Sequence, residues 1–427
     1  MDRPVVLAGH QAQMWHPGIL AKALAQAAAA RSLGAGGAWV VVDQDDHDPW
    51  TIRYPVRTAE GSLEVRQWRV GGEHATGPEH VPIANGPAAR PSGIPALERG
   101  ERFGAPGVGE GLDAIRAAIG RHAGERSAAR QIGAAMQELL RPIAPDMATV
   151  FATDLARTEV FAQVVEAIGR DPAAAVGAYN RATRAHPGAR IAPLRADGDA
   201  ELPLWHIPAK AGAARRRVPA SMLGSIPVEE LAPRALLMTG VLRMAGCEMF
   251  VHGLGGAGGD GSSGYDAITT AWFREWLGAD LAPTATVSAT LRLNLEPPGS
   301  GARPTPEQIA RARWTAHAAR HRPRMLGDAA AEAQREEALA TLRRLRGKRD
   351  APSKRSKLEA YRGLHKTLEA ARARRPAELA RYESEAAAAA AYREEAEIIA
   401  DRTWAWPLYE AGQIAELRRA IDAAFGL

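Results

Sequence analysis

The stretch LAGHQAQMWHPGILAKALA, residues 7–25, joins a short apolar run to an alanine-rich run and decides how the chain begins to fold. Residues 4–9 have the composition of a buried strand, and residues 17–33 have that of a helix. The glycines of residues 34–37 end this helix, and AWVVVDQDD, residues 38–46, is a second apolar strand that closes with acidic residues. Together these segments predict a strand–helix–strand unit with parallel strands.

Alternation of strands and helices continues to about residue 300. Further strands are predicted at 147–154, 202–208 and 247–253, and helices at 112–141, 158–186, 233–245 and 264–277. Residues 50–115 interrupt the alternation with two strand-like runs and a Gly- and Pro-rich loop over 72–111, so they are expected to be an insertion. The predicted fold class is therefore α/β, with a Rossmann-like, doubly wound core over residues 1–300.

The last third of the chain is rich in Ala, Glu, Arg and Leu at helical spacing. Residues 305–400 are predicted to form an antiparallel α-helical coiled-coil hairpin, with an exposed turn at 347–357. Pro376 is expected to kink or restart the second helix, and Pro323 and Gly327 are expected to weaken the first, so the helices should be bent rather than straight. The aromatic segment 401–427 is expected to pack back on the core.

Composition narrows the class of protein. The 427 residues carry 54 basic and 49 acidic side chains, and this mild excess gives no indication of a nucleic-acid partner. The single cysteine, Cys247, rules out an intrachain disulfide and a cysteine-based zinc cluster. No stretch has the roughly 20 consecutive apolar residues of a membrane span, and the N-terminus lacks the pattern of a signal peptide. The expectation is a cytoplasmic, soluble protein with no membrane partner.

Polar residues fill the turn between the first strand and the first helix. At such a turn the helix presents free N–H groups and the positive end of its dipole, which favours an anion. The residues that fall there are Gly9, His10, Gln11, Gln13 and His16, with Lys22 a turn and a half into the helix. The turn therefore predicts an anion-binding site, and the alternative is that its polar residues only cap the helix.

Acidic residues follow the second strand in DQDDHD, residues 43–48. Four carboxylates in so short a segment repel each other unless solvent, a proton, a cation or a substrate amine relieves them. Asp46, His47 and Asp48 form a plausible acid–base group, in which a carboxylate fixes the tautomer of the imidazole. A divalent metal among Asp43, Asp45, Asp46 and Asp48 stays open, as does a solvated loop, and no metal ligands are assigned.

A glycine-rich segment, VHGLGGAGGDGSSGYDAITTAW, follows the strand predicted at 247–253. Its glycines allow a ligand to approach the backbone closely, but it has neither the Lys-Ser/Thr of a P-loop nor a dinucleotide fingerprint. A flexible surface loop is the alternative. PAKAGAARRRVP, residues 208–219, carries Lys210 and Arg215–Arg217. It is expected to be a solvated loop, and the alternative is that these basic residues meet an acidic ligand.

Five segments, in this order, resemble the BshC family, the cysteine-adding enzymes of bacillithiol synthesis. They are AGHQAQMWHPGILAKA (8–23), DQDDHD (43–48), LAPRALLMTGVLRM (231–244), FVHGLGGAGGDGSSGYDAITTAW (250–272) and LAPTATVSATLRL (281–293). The match to Asp46-His47-Asp48 is the firmest. The chain departs from the family pattern where His10 replaces Gln, where Asp45 replaces Glu, and where Thr239-Gly240 replace Arg-Pro with Arg243 one turn later. These changes affect ligand contacts.

The resemblance implies a core shaped like class I synthetases and nucleotidyl transferases, and a homodimer formed through the coiled coil. It implies a ligase that adds cysteine, or a similar amino acid, to an amino-sugar acceptor such as glucosaminyl-malate. The cofactor is left open, with ATP or ADP as the candidate. His47 is then the base, and Asp46 and Asp48 orient it or hold an ammonium. Anions are held by His10, His16 and the loop 253–261. The substrate-binding residues are expected to be Gly9, Gln11, Gln13, Lys22, Asp45, Arg243, His252, Gly255, Gly256, Gly258, Tyr265 and Asp266.

Two other functions compete with the ligase. One is another nucleotidyl transferase or adenylate-forming enzyme on the same scaffold, although His10 and His16 are spaced wrongly for its His-x-Gly-His motif. The other is a non-catalytic dimeric scaffold.

Overall fold

The structure, a computed structural model, describes residues 4–59, 61–71, 80–90, 102–257, 264–296, 304–347 and 350–427. It divides into two compact units, one of Met1–Leu293 with Arg402–Leu427 and one of Asn294–Asp401. Each unit has its own secondary structure.

The strands of the described residues all lie in the first unit. They are β1 (Val5–Gln11), β2 (Gly36–Val42), β3 (Thr51–Arg57), β4 (Leu63–Arg69), β5 (Met147–Phe151), β6 (Glu201–His206), β7 (Arg216–Pro219), β8 (Leu231–Pro233), β9 (Met249–His252) and β10 (Thr284–Thr286).

Helices surround these strands and make up the second unit. Those of the first unit are α1 (Pro17–Ser32), α2 (Pro106–Arg121), α3 (Ala128–Leu140), α4 (Glu159–Arg170), α5 (Pro172–Ala185), α6 (Ala235–Ala245), α7 (Leu254–Ala257), α8 (Tyr265–Leu277) and, after the second unit, α14 (Ala411–Ala424). Those of the second unit are α9 (Pro306–His321), α10 (Ala329–Arg344), α11 (Ala351–Arg374), α12 (Pro376–Ala390) and α13 (Arg393–Ala400). Short 3-10 helices lie at Ala152–Arg157, Pro187–Ala189, Ala220–Ser225, Val228–Glu230, Pro323–Leu326 and Trp406–Leu408.

The central sheet has five strands in the order β10-β9-β1-β2-β5, and every neighbouring pair is parallel. Alternation along β2 gives the sheet two buried faces: Ala38 and Val40 cluster with Met238 of α6, whereas Trp39 stacks on Trp15 on the other face. A mixed α/β fold with an all-parallel central sheet is thus established, and it is compatible with the predicted Rossmann-like core.

The strand predicted at 202–208 does not join this sheet. It forms β6 of a separate three-stranded sheet, in the order β7-β6-β8 with antiparallel pairs. The prediction of a single alternating core is wrong here because periodicity shows that a segment is a strand but not which strand it pairs with.

The insertion predicted at 50–115 contains an antiparallel hairpin of β3 and β4. The loop predicted over 72–111 is too long, because α2 already begins at Pro106. Its first turns, PGVGEG, have the composition of a loop, yet Gly111 lies so close to the Pro407 carbonyl that a side chain would not fit. Tertiary packing therefore overrides a weak helix propensity.

The segment after residue 401 belongs to the first unit. Its helix α14 contacts α1, and Arg31 pairs with Asp422 at 2.5 Å. In the second unit α9 contacts α12 and α10 contacts α11. The helices break at Pro323 and restart at Pro376. The turn predicted at 347–357 is shorter than expected because α11 begins at Ala351; Lys348 and Arg349 lie outside the described residues. The predicted coiled coil and homodimer stay predictions.

Among the described residues, no helix combines the length and the apolar character that a membrane crossing requires.

We expect Gly9→Ala to destabilise the fold, because a Cβ at residue 9 would lie 2.6 Å from the Val40 carbonyl oxygen of the neighbouring strand. Overpacking of this kind costs about 1–3 kcal/mol of unfolding free energy. Gly124→Ala is the control, since nothing lies within 4 Å of its Cβ position. Calorimetric unfolding should show a lower Tm for the first variant only, and equal Tm values would contradict the close approach.

Candidate functional site

The candidate site lies where the strand order of the central sheet reverses. The chain proceeds from β1 to β2 on one side, while β9 flanks β1 on the other side. In open parallel sheets ligands bind at the carboxyl ends of the strands at such a switch point. Polar segments 10–16 and 43–48, and the described residues of the third segment, 252–257 and 264–266, lie at and beyond the ends of β1, β2 and β9. The structure thus brings the three predicted segments to neighbouring strand ends.

Arg215 binds two carboxylates of the acidic segment. Its Nη1 donates to the Gln44 carbonyl at 2.5 Å and to Asp45 Oδ1 at 3.1 Å, and its Nη2 donates to Asp46 Oδ1 at 2.7 Å. Only 14% of its side chain is exposed, and its guanidinium stacks 4.3 Å from the centroid of Trp205. The chain therefore supplies its own counter-ion to the acidic segment.

The prediction of a solvated loop at 208–219 is wrong at Arg215. Residues Arg216–Pro219 form β7, which pairs with β6 and so places Arg215 beside Trp205. The tripeptide Arg-Val-Pro, which contains the buried Val218, is a weak indication of a strand. The run of three arginines favours a loop instead. His80 was also missed; its Nδ1 lies 3.2 Å from Asp46 Oδ2.

The other two carboxylates of the segment bind different groups. Asp43 is buried and accepts hydrogen bonds from Thr153 N at 2.9 Å and Thr153 Oγ1 at 2.6 Å. Asp48 accepts from Trp50 N at 3.0 Å and Thr51 Oγ1 at 2.6 Å, and so closes the turn into β3. The four carboxylates do not converge, and in the described part of the chain no three His, Cys, Asp or Glu side chains are grouped to hold a metal ion.

His47 is a half-buried imidazole with an open nitrogen. Its Nε2 is buried and has no hydrogen-bond partner among the described residues. Burial lowers the pKa of His47, although Asp45 and a hydrogen bond to the Ala12 backbone oppose the shift. The ring is therefore neutral near pH 7 and can accept a proton. The prediction that Asp46 and Asp48 orient this ring is wrong, because these carboxylates bind Arg215 and Thr51 instead.

His10 and the two glutamines line the same end of β1. The Nε2 atoms of His10 and Gln13 are 3.1 Å apart, and Gln11 Nε2 donates to Asp45 Oδ2 at 3.4 Å. Burial lowers the pKa of His10 to about 3, and Lys22 and the nearby histidines add to the effect. A neutral His10 adds no charge to the site but can still donate a hydrogen bond to an anion, so its predicted anion-binding role stays a prediction.

The start of α1 is a capped helix. His16 Nδ1 accepts from Gly18 N at 3.1 Å, Ile19 N and Leu20 N donate to the His16 carbonyl, and Pro17 has no N–H. Because these amides already have partners, the anion site predicted at this helix end is not formed there; the helix-capping alternative describes His16.

Lys22 connects α1 to the end of β1. It is buried, and its Nζ donates to the Gly9 carbonyl at 2.5 Å and lies 5.7 Å from the centroid of Trp39. Burial lowers the pKa of Lys22 to about 8, although Asp266 opposes the shift. Gly9 contributes this carbonyl and close packing against Val40, so its predicted contact with substrate is not what fixes glycine at this position.

Three further predicted residues form a buried group after β9. His252 Nδ1 lies 3.1 Å from Tyr265 Oη, and His252 Nε2 lies 2.9 Å from Asp266 Oδ1. Burial lowers the pKa of His252 and raises that of Tyr265. Arg243 donates through Nε to the Ala282 carbonyl at 2.8 Å, while its buried Nη1 has no hydrogen-bond partner among the described residues. Two buried cations, Lys22 and Arg243, thus act electrostatically on the single carboxylate of Asp266.

The glycine-rich segment is only partly described. Gly255 and Gly256 lie in the short helix α7, and Gly258 lies outside the described residues. A Cβ at Gly255 would be 3.8 Å from the Tyr265 ring, an ordinary contact. Gly255 is therefore not required by protein packing.

Comparison of the chain with protein-family models and with curated proteins finds no match.

We expect Arg215→Met to destabilise the first unit by about 1.5–3 kcal/mol, the range for hydrogen bonds to charged groups. Without the guanidinium, Asp45 and Asp46 lose their shared counter-ion and repel each other. Unfolding in urea at pH 7.5 measures the loss.

Arg216→Met is the matched control, because Arg216 is the next residue in the chain and is exposed at the start of β7. Equal losses for the two variants would show that the acidic segment does not need Arg215.

Proposed function

We propose that the chain is a ligase resembling the BshC family, one that adds cysteine or a similar amino acid to an amino-sugar acceptor such as glucosaminyl-malate. The buried Nε2 of His47, which has no hydrogen-bond partner among the described residues and belongs to the segment whose carboxylates Arg215 holds, carries this proposal. The strand order, with β1 between β2 and β9, supports the finer assignment of the core to the Rossmann-like type of class I synthetases.

The reaction joins an amine to a carboxyl group. An ammonium cannot attack, so a base must first remove a proton from it. Neutral His47 accepts that proton at Nε2, the nitrogen then forms a bond to the carboxyl carbon, and a carboxyl oxygen leaves as water or on an activating group. Asp45 and Asp46 attract the ammonium, and Arg215 limits their mutual repulsion.

Two buried cations, Lys22 of α1 and Arg243 of α6, support the second half of the reaction. A developing negative charge on the carboxyl oxygen is stabilised by fixed positive groups in a site that excludes water. Lys22 and Arg243 supply positive potential at this end of the sheet, and Asp266 balances part of it. ATP or ADP stays the candidate cofactor, so the assay is run with and without ATP.

We expect His47→Gln to lower turnover about 10²–10⁴-fold, the usual contribution of a general base. The purified chain is incubated with cysteine and glucosaminyl-malate, and the amide product is followed by mass spectrometry. His365→Gln is the control, since His365 is exposed on α11. Full turnover by the His47 variant would remove the base assignment, and absence of product with the unchanged chain would remove the ligase proposal.

The pH profile of kcat/KM tests the same base. Burial lowers the pKa of His47 below its ordinary value of 6.5, so the ring loses its proton earlier as the pH rises. Activity should therefore rise with pH, with its midpoint below 6.5, and level off before pH 7. A midpoint above 7 would contradict neutral His47 as the base.

A further inference from the structure

A second polar cleft opens at the carboxyl ends of β2 and β5, outside the site described above. It has a volume of about 300 Å³. We call it the arginine cleft and define it by Arg126, Arg130 and Arg157 with Asp43, Thr153 and Asp154. His47 does not line it. Except for Asp43, these residues are not predicted as site residues from the sequence, because they meet only in the folded chain.

The inner end of the cleft carries a buried carboxylate. Asp43 is 1% exposed, and its two oxygens accept from Thr153 rather than from a cation. No cationic side chain of the described residues lies within ion-pair distance of it. Burial raises the pKa of Asp43 to about 6, although the Thr153 hydrogen bonds and the more distant charge of Arg130 oppose the shift. A buried carboxylate without a contacting cation is unfavourable, and a bound ammonium relieves it.

Two exposed arginines at the outer end of the cleft have no ion-pair partner among the described residues. Arg126 and Arg157 are exposed and make no ion pair within the described parts of the chain. Arg130 is different: it donates to both oxygens of Asp154 at 2.7 Å and stacks 3.7 Å from the centroid of Phe151. Two guanidinium groups are therefore open to a carboxylate, the anion whose planar geometry they match. Glu229, also exposed at the outer end, is screened by solvent.

The frame of the cleft is fixed, and its backbone amides are occupied. At the start of α3, Ala128 N donates to the Gly86 carbonyl and Ala129 N to the Ile83 carbonyl, so side chains rather than the helix end recognise the ligand. Asn85 Nδ2 donates to the carbonyls of Pro208 and Ala213 at 3.0 and 3.3 Å, which holds the facing loop. The opening is therefore present before a ligand arrives.

From this charge arrangement we infer that the arginine cleft binds a small zwitterion of the amino-acid class. Its ammonium lies against Asp43, and its carboxylate lies between Arg126 and Arg157. The small apolar side chains of Ala84, Ala209 and Ala232 contact its uncharged part. This inference concerns binding and does not rest on the proposed ligase activity.

Isothermal titration calorimetry at pH 7.5 tests the inference, because Asp43 is then ionised. The probes are two zwitterions. In L-cysteine the ammonium and the carboxylate are close together, and in 4-aminobutyrate they are far apart. Their single-charge analogues are 3-mercaptopropionate, cysteamine, butyrate and butylamine. We expect at least one zwitterion to bind, and its two analogues to bind at least tenfold more weakly.

The double variant Arg126→Ala/Arg157→Ala should raise the Kd of that zwitterion at least tenfold. Arg116→Ala/Arg141→Ala, which removes two exposed arginines from α2 and the end of α3, should leave it unchanged. Asp43→Asn should also weaken binding. Because Asp43 is buried, this variant can fail to fold, and the Kd of the double arginine variant then tests the inference alone.

Three results would overturn the inference: neither zwitterion binds, a single-charge analogue binds as tightly, or the arginine variant binds like the unchanged chain. His47→Gln keeps the cleft intact, so it should bind the zwitterion normally even where it abolishes turnover. Failure of the ligase proposal is thereby separable from failure of this one.

Discussion

The contact between Lys22 and the Gly9 carbonyl is the constraint on which the switch point depends. A buried ammonium is unfavourable unless hydrogen bonds and a nearby carboxylate offset its loss of hydration. The carbonyl is at the end of β1, and the carboxylate of Asp266 is in the first turn of α8, more than two hundred residues further along the chain. Burial of one lysine therefore links the first helix, the first strand and the segment after β9.

A similar dependence governs the acidic segment. The four carboxylates within six residues do not share one environment in this fold. Asp43 accepts hydrogen bonds from Thr153, and Asp48 accepts them in the turn into β3. The remaining two carboxylates form ion pairs with Arg215. This separation leaves the imidazole between them without a carboxylate partner. Its neutrality then follows from burial, and the proposed chemistry requires a neutral base.

Local patterns in the sequence predict much of the fold but less of the site. The first strand, helix and strand follow from periodicity and from the glycines after the helix, because these signals act over a few residues. Pairing partners are not local, so β6 was assigned to the wrong sheet. The roles of His10 and His16 depend on burial and on one hydrogen bond, which residue type alone does not reveal. The ion pairs of Arg215 with the acidic segment could not be predicted, because their partners lie some 170 residues away in the chain.

The position of β1 in the sheet has a consequence for synthesis of the chain. β1 leaves the ribosome well before β9, which covers its second edge and is translated some 240 residues later. Until then one row of its backbone N–H and C=O groups has no neighbour, in a strand rich in valine and leucine. Exposed apolar edges of this kind pair readily with other chains. The nascent protein therefore passes through a long aggregation-prone stage, and completion of the sheet ends it in the same step that assembles the switch point.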